Sequence, residues 1–393
     1  MTSLSLCLTL AVLSPSLALA KDPATFFHAD PATSGIRLTT AEQRIANRVG
    51  GLLATPDGHG PAIDLWLVDA ARRIALGQGA STRDALTLAG ASDAYAVPVH
   101  YAVVDVADPV GPVTGLLETD VGRTGITHFG VGVVETKGGT RVGLVFVKRR
   151  ATLSRFPKRL RVGEHFLLNG SLAADLHEPV VLLASPTSRV RETRPRTEGQ
   201  VFWTQVPFND GPGRYTIEVQ ARDRYGVQVL NLVDVDVVGA GGRDDAPVVR
   251  LRPESAPVRS VAEAEARAME LLNVTRRRAG LSALTRSAVL AAEARTHASE
   301  MARLGYFGHV SPRRGTLGDR LRKAGLGGVA ARENVAIGPS AEAAHTELVR
   351  SPSHLRNMLE PSMTHVGVGI YRRAPAGDAA PVFTFTYVLA ALQ

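Results

Sequence analysis

An α+β chain built of three folded blocks is what this sequence of 393 residues predicts. Three observations carry the expectation. The length exceeds what a single hydrophobic core ordinarily organises, so two or three domains follow. Hydrophobic residues make up 45% and charged residues 21% of the chain, a balance that excludes a disordered polymer. The texture also changes along the chain: helical periodicity and short strands first, strand-like pieces alone in the middle, helices and strands again at the end.

Taken in order, residues 1–20 carry no charge and run through Leu4 to Leu19 to an Ala18-Leu19-Ala20 ending before Lys21. That is the apolar core and small-residue cleavage site of a secretory leader, too short and too interrupted by Ser and Pro for a membrane span. Cleavage after Ala20 would leave a secreted or periplasmic chain with no transmembrane span. Cys7 lies in the leader, so the mature chain would hold no cysteine and rest on packing alone. The net charge of +8 comes mainly from arginine and suits anionic partners such as an envelope polymer. A dedicated nucleic-acid motif is not among the signals found.

The first block, residues 21–150, opens with Thr39 and Glu42 as a capping box, followed by Ile45, Val49 and Leu52 at helical spacing. Ala62 to Leu76 reads as a second helix and Ser81 starts a third. Strands are expected at Tyr95–Val106, Thr127–Val134 and Arg141–Lys148. A basic connection from Lys148 to Arg161 then marks a boundary. The second block, residues 151–240, has no helical pattern; its short strands and turn signals such as Asn209-Asp-Gly-Pro-Gly213 predict a small β-sandwich of immunoglobulin-like type. Residues 241–259 are rich in Gly and Pro and read as a linker.

The third block, residues 260–393, starts with Ser260 and Glu263 as a helix cap, and Val261, Ala264, Ala268, Leu271 and Leu272 share one helix face. A second helix spans about Ser287 to Leu304. Shorter helices follow from Thr316, Ser340 and Ser351-Pro352, and two strands, Val366–Tyr371 and Val382–Ala390, close the chain. Thr364-His-Val-Gly-Val-Gly-Ile-Tyr371 echoes Thr127-His-Phe-Gly-Val-Gly-Val-Val134, each after tandem helices. The first block is therefore expected to be a degenerate copy of the third. Glycines alternating with His365 on one strand face suggest the floor of a cleft, where a ligand or another element approaches the backbone.

Polar residues gather in four segments of the third block: Phe307-Gly-His309-Val-Ser-Pro312, Glu333-Asn334-Val-Ala336, Ser351-Pro-Ser-His354-Leu-Arg-Asn-Met-Leu359 and Thr364-His365-Val-Gly-Val-Gly369. Neutral imidazoles and a carboxylate suit zinc, or a poised water with Glu333 as base and a histidine as acid. No tight metal motif is present. In this order the four motifs resemble the bacterial branch of the CAP superfamily, the SCP domain shared with cysteine-rich secretory proteins, venom antigen 5 and plant pathogenesis-related proteins. The resemblance covers about Val261 to Gln393. It implies an α-β-α sandwich with a central cleft lined by two histidines and acidic residues, and divalent metal binding in some members.

Carried onto this chain, it implies His309 as the first cleft histidine, Glu333 as the cleft glutamate and His365 as the second histidine. The second acidic position falls near Ser351, with His354 beside it. The cleft candidates are thus His309, Glu333, His365, Asn334, Ser351 and His354, with His309 and His365 as the candidate metal ligands. His297 and His345 read as ordinary helix residues. Three functions stay open: a secreted or envelope-associated protein binding a polymer, lipid or peptide in the cleft; a metal-dependent hydrolase of peptides or wall polymers using His309, Glu333 and His365; and a non-catalytic scaffold.

Overall fold

The computed structural model describes residues 26–28, 35–54, 60–77, 82–93, 96–97, 102–103, 125–136, 139–187, 189–239, 260–373 and 382–392. The expected leader with Cys7, the expected linker 241–259 and most of the expected strand Tyr95–Val106 lie outside them. The fold is α+β. Among the described residues no helix is long and apolar enough to cross a membrane.

In the first block, β1 (Phe26–Phe27) leads to helix α1 (Thr40–Leu52), whose Thr39–Glu42 capping box forms in both directions. Strand β2 (Ala62–Ile63) precedes helix α2 (Leu65–Ala75), capped by the Asp64 carboxylate on the Trp66 and Leu67 amides, and helix α3 is Thr82–Ala89. The helix expected from Ala62 begins three residues later because Ala62 and Ile63 pair in parallel with a later strand. β3 (Ala96–Val97) and β4 (Ala102–Val103) border the hairpin of β5 (His128–Thr136) and β6 (Gly139–Val147), in sheet order β2-β5-β6-β3 with β4 also on β6. Ile45, Val49, Phe129, Val131 and Phe146 form the core on one side.

The basic stretch expected as a mere connection is structured. It contributes β7 (Ala151–Leu153), β8 (Phe156–Pro157) and β9 (Arg159–Arg161). After them come β10 (His165–Leu172), β11 (His177–Ala184), β12 (Val190–Thr193), β13 (Arg196–Glu198), β14 (Val201–Pro207), β15 (Gly213–Asp223) and β16 (Gly226–Val238). Two sheets, β13-β14-β10-β7 and β12-β11-β15-β16-β9, enclose a core of Leu168, Phe202, Val206, Ile217, Val219 and Val233. Tyr215 packs edge-on against Phe208, and its hydroxyl donates to the Gly211 carbonyl and accepts from the Asp210 amide, a corner of the kind found in immunoglobulin-like sandwiches.

The third block layers helices on both faces of the sheet β17-β19-β20-β18, where β17 is Thr285–Arg286, β18 Ala331–Gly338, β19 His365–Arg373 and β20 Val382–Ala390. Helix α4 (Val261–Arg278) packs on one face with α7 (Ala341–Arg350) and α8 (Pro352–Met358), around Ala268, Leu272, Leu348, Met358, Val366 and Phe385. Helices α5 (Ala288–Leu304) and α6 (Leu317–Lys323) cover the other face through Leu290, Ala294 and Leu321 on Val388 and Ala390. α5 stops at Gly305, whose φ of 68° is the left-handed cap that favours glycine.

The two echoing strands repeat each other contact by contact. A Cβ on Gly367 would sit 2.1 Å from the Leu290 backbone, and one on Gly369 2.0 Å from Arg295, so the glycines admit helix α5 and not a ligand. Gly130 and Gly132 meet Leu67 and Arg72 of α2 in the same way, at 2.0 Å and 2.2 Å. Arg72 pairs with Glu42, and a Glu42 oxygen takes the Val133 amide; Arg295 pairs with Glu265, which takes the Ile370 amide.

Candidate functional site

The loop after α5 carries His309 to the edge strand β18. His309 Nδ1 lies 2.9 Å from Glu333 Oε1, and Arg320 of α6 donates to Glu333 Oε2 at 2.8 Å. Arg320 also donates to the His309 carbonyl at 3.0 Å and to Glu293 at 3.0 Å. Arg314 joins Glu293 and Glu300, and Ser311 donates to Glu300 at 2.7 Å. Buried charges are tolerated when they are paired, and this chain of alternating arginines and carboxylates pairs each of its charges, although Arg314 Nη2 and Arg320 Nε make no hydrogen bond.

His297, buried in α5, faces Gly308 O at 2.9 Å through Nε2 and the Tyr306 hydroxyl at 3.4 Å through Nδ1. A carbonyl can only accept, so His297 carries its proton on Nε2 and Tyr306 donates to Nδ1. Burial lowers the His297 pKa, with Glu333 opposing, so the ring is neutral. For Glu333, burial alone would raise the pKa. The His309 hydrogen bond and the Arg320 charge outweigh it, and the group is brought down to about 2.

Glu333 is therefore an ionised orienting group and not the base expected from sequence. It fixes the proton of His309 on Nδ1 and leaves Nε2 as the unprotonated nitrogen of a side chain that is 27% exposed. His354 is the second imidazole here. Burial first, then the charge of His309, pushes its pKa down to about 3, so it is neutral.

The remaining sequence candidates fall in different places. Asn334, next to Glu333 on β18, points to the opposite face. Its amide donates to the His354 carbonyl at 2.9 Å and accepts from Asn357 at 2.9 Å, which fastens α8 to the sheet and does not cap a turn. Ser351 is buried and its hydroxyl donates to Glu218 of β15, so it makes no side-chain cap on its own helix.

His365 is not brought to the cluster. It starts β19 in register with Ala390, which is paired in turn with Ala331 of β18. Two strand spacings, roughly 10 Å, separate those rows. Its Nδ1 contacts Thr364 Oγ1 at 2.9 Å, and α5 packs along the glycine face that was expected to be cleft floor. His128 makes the matching contact with Thr127 at 2.9 Å.

The donor set does not suit a zinc site. Both Glu333 oxygens are engaged, one by the guanidinium of Arg320, and only the Nε2 edge of His309 and the ring of His354 are left. No cluster of three or more His, Cys, Asp or Glu able to hold a metal occurs among the described residues. Sequence reasoning missed Arg320, Arg314, Glu293, Glu300 and Ser311, and read His297 as ordinary. The available signal was in α5, where Glu293, His297 and Glu300 recur at helical spacing next to the buried Ala294 and Ala298.

A family model described as the cysteine-rich secretory protein family, CAP, matches residues 269–389. The chain is 35% identical over 111 residues to the uncharacterized protein YkwD of Bacillus subtilis, covering 28% of this chain and 43% of that protein. It is 34% identical over 113 residues to the uncharacterized membrane protein YlbC of the same organism, covering 28% and 32%. This chain thus spans less than half the length of these curated relatives. Among solved structures it is similar to an extracellular SCP-domain protein from Bacillus anthracis, with 20% identity, 57% of this chain and 82% of that chain covered, and a TM-score of 0.29. The match to the cysteine-rich secretory protein (CAP) family is thus confined to residues 269–389, the C-terminal third of this chain.

Proposed function

We propose that this chain is a secreted or envelope-associated protein whose C-terminal domain binds a ligand at the edge of β18 through the unprotonated Nε2 of His309. The observation that carries the reading is the 2.9 Å contact from His309 Nδ1 to the ionised, buried Glu333. A carboxylate that fixes one ring nitrogen makes the other a directed acceptor for an N–H or O–H of a peptide or wall polymer. The net charge of +8 supports an anionic polymer as the larger partner. The leader-like residues 1–20 support export.

Sedimentation with insoluble peptidoglycan and titration with muropeptides test the site. His309→Ala is expected to weaken binding about tenfold, ~1.4 kcal/mol. Equal binding by both proteins would remove His309 from recognition and leave a scaffold role. Export predicts a mature N-terminus at Lys21 by mass spectrometry, and an intact Met1 after secretion would contradict it.

The same contact favours a second reading, hydrolysis in which His309 Nε2 takes a proton from water while Glu333 holds the resulting imidazolium. Turnover of peptide and muropeptide substrates that disappears in His309→Ala and persists in chelator is the expected result. The metal-dependent version has no support in the donor set.

A further inference from the structure

We infer that the hairpin of β15 and β16 in the central sandwich is a positioning element of the His309 site, so that the site is assembled by two blocks of the chain. This rests on the reading of His309 as the ligand-facing group. Between the two strands, the Tyr225 carbonyl accepts from both the His309 amide at 2.8 Å and the Val310 amide at 2.9 Å. Two glycines make the approach possible. A Cβ on Gly308 would lie 2.6 Å from Tyr225 O, and Gly226, at φ 99°, turns its missing side chain toward His309 Cβ and Val310 Cγ2 at 3.4 Å.

The turn is itself held. Asp223 Oδ1 accepts the Tyr225 amide at 2.7 Å, and Asp223 Oδ2 pairs with Arg150 at 2.5 Å. The Tyr225 ring stacks on Tyr306 at 5.1 Å, and Tyr306 reaches His297. Higher on β15, the fully buried Glu218 accepts from Ser351 Oγ and from the Ser353 amide at 3.4 Å, with Gln220 donating to its other oxygen at 2.5 Å.

Ser351 and Ser353 open the segment that carries His354. One hairpin therefore grips both imidazole-bearing segments, the loop of His309 through Tyr225 and helix α8 through Glu218. Neither contact touches an imidazole, so the hairpin acts on backbone placement and sets the spacing between the two rings.

The test uses the full chain labelled with ¹⁵N-histidine. Two glycines inserted between Arg224 and Tyr225 displace the turn without altering any side chain of the site, and Gly308→Ala provides an independent wedge. In the wild type, the His309 and Val310 amides should exchange slowly and His309 should show one tautomer with its proton on Nδ1. Both variants should speed that exchange about 100-fold or more and give His309 a mixture of tautomers, with far-UV circular dichroism unchanged.

Fast exchange with an unchanged His309 tautomer in either variant overturns the inference, as does fast exchange in the wild type. None of these signals requires a ligand. If the tautomer responds while His309→Ala binds wall polymer normally, the functional reading fails and the positioning role stands.

Discussion

The first and third blocks both pack a helix on a glycine-bearing hairpin, and that helix carries a charged stripe in the third block alone. In both, a two-residue strand pairs in parallel with the hairpin: Ala62 with His128, and Thr285 with His365. The helix that follows rests on two glycines, and an arginine on it binds a glutamate from the preceding long helix. Aligned on Arg72 and Arg295, however, the positions of Glu293, His297 and Glu300 are occupied in α2 and its end by Ala70, Ile74 and Gly77. Without those three polar groups the loop of His309 loses its contacts to α5, Arg314 loses both of its carboxylates, and Arg320 keeps only Glu333. The comparison teaches that the glycine strand and its histidine are scaffold, whereas the charged stripe on α5 is what carries the site.

Several substitutions break or sharpen that contrast. The largest effect is expected from Arg320→Ala, which leaves Glu333 buried without its guanidinium and Glu293 with Arg314 alone. It should cost roughly 3–5 kcal/mol in urea unfolding, and a cost under 1 kcal/mol would show that the stripe is not under electrostatic tension.

An acid titration of stability comes next. Glu333 has its folded pKa lowered from the ordinary 4.5 to about 2, so its contribution is complete above 4.5 and lost as pH falls toward 2. That contribution is of the order of 3 kcal/mol. Glu333→Gln should flatten this limb for the third block; an unaltered limb would assign the acid sensitivity elsewhere.

Gly132→Ala and Gly369→Ala should each destabilise by about 1–3 kcal/mol, because the new methyl meets helix backbone and not a movable side chain. Similar losses are expected in both blocks; tolerance in only one would break the structural equivalence. The smallest effect belongs to His128→Ala and His365→Ala. Each removes one contact to a neighbouring threonine, worth under about 1 kcal/mol, and His365→Ala should leave peptidoglycan sedimentation unchanged. Loss of binding in that variant would restore His365 to the site.

The central sandwich treats the two outer blocks differently as well. Toward the first it offers β8, paired with β1 so that Phe27 enters the sandwich core, and Asn231, whose amide donates to Ser92 at 3.0 Å. Toward the third it sends the hairpin that meets His309 and α8. The block with the charged stripe is thus the one whose site loop is gripped from outside.

Local signals in the chain were sufficient for much of the architecture. Thr39 with Glu42 and Thr316 with Asp319 form the capping boxes their spacing announces, and Ser260, Ser287 and Ser340 cap their helices as serines at helix starts do. The echo of Thr127–Val134 and Thr364–Tyr371 pointed to a shared unit because a strand's alternation is written in consecutive residues. Motif order singles out His309 and Glu333, whose side chains meet at 2.9 Å. Beyond that range the reading failed in specific ways. The resemblance implies His365 as the second cleft histidine, and the glycines beside it mark close approach without saying what approaches; helix α5 is what does. The strand around Glu333 has no local signal of its own, since β18 is defined by its pairing with β20, some fifty residues on.

What the amino-acid sequence determined by itself was local: caps, periodicity, the alternating strands and the motif set of the C-terminal third, all interactions between residues a few positions apart. What only the tertiary structure decided was which polar groups meet. Arg320 finds Glu333 and Glu293, Glu218 finds Ser351, and Tyr225 finds the backbone of His309. A buried charge must be satisfied by whatever partner the packing brings within about 3 Å, and that partner can lie anywhere along the chain.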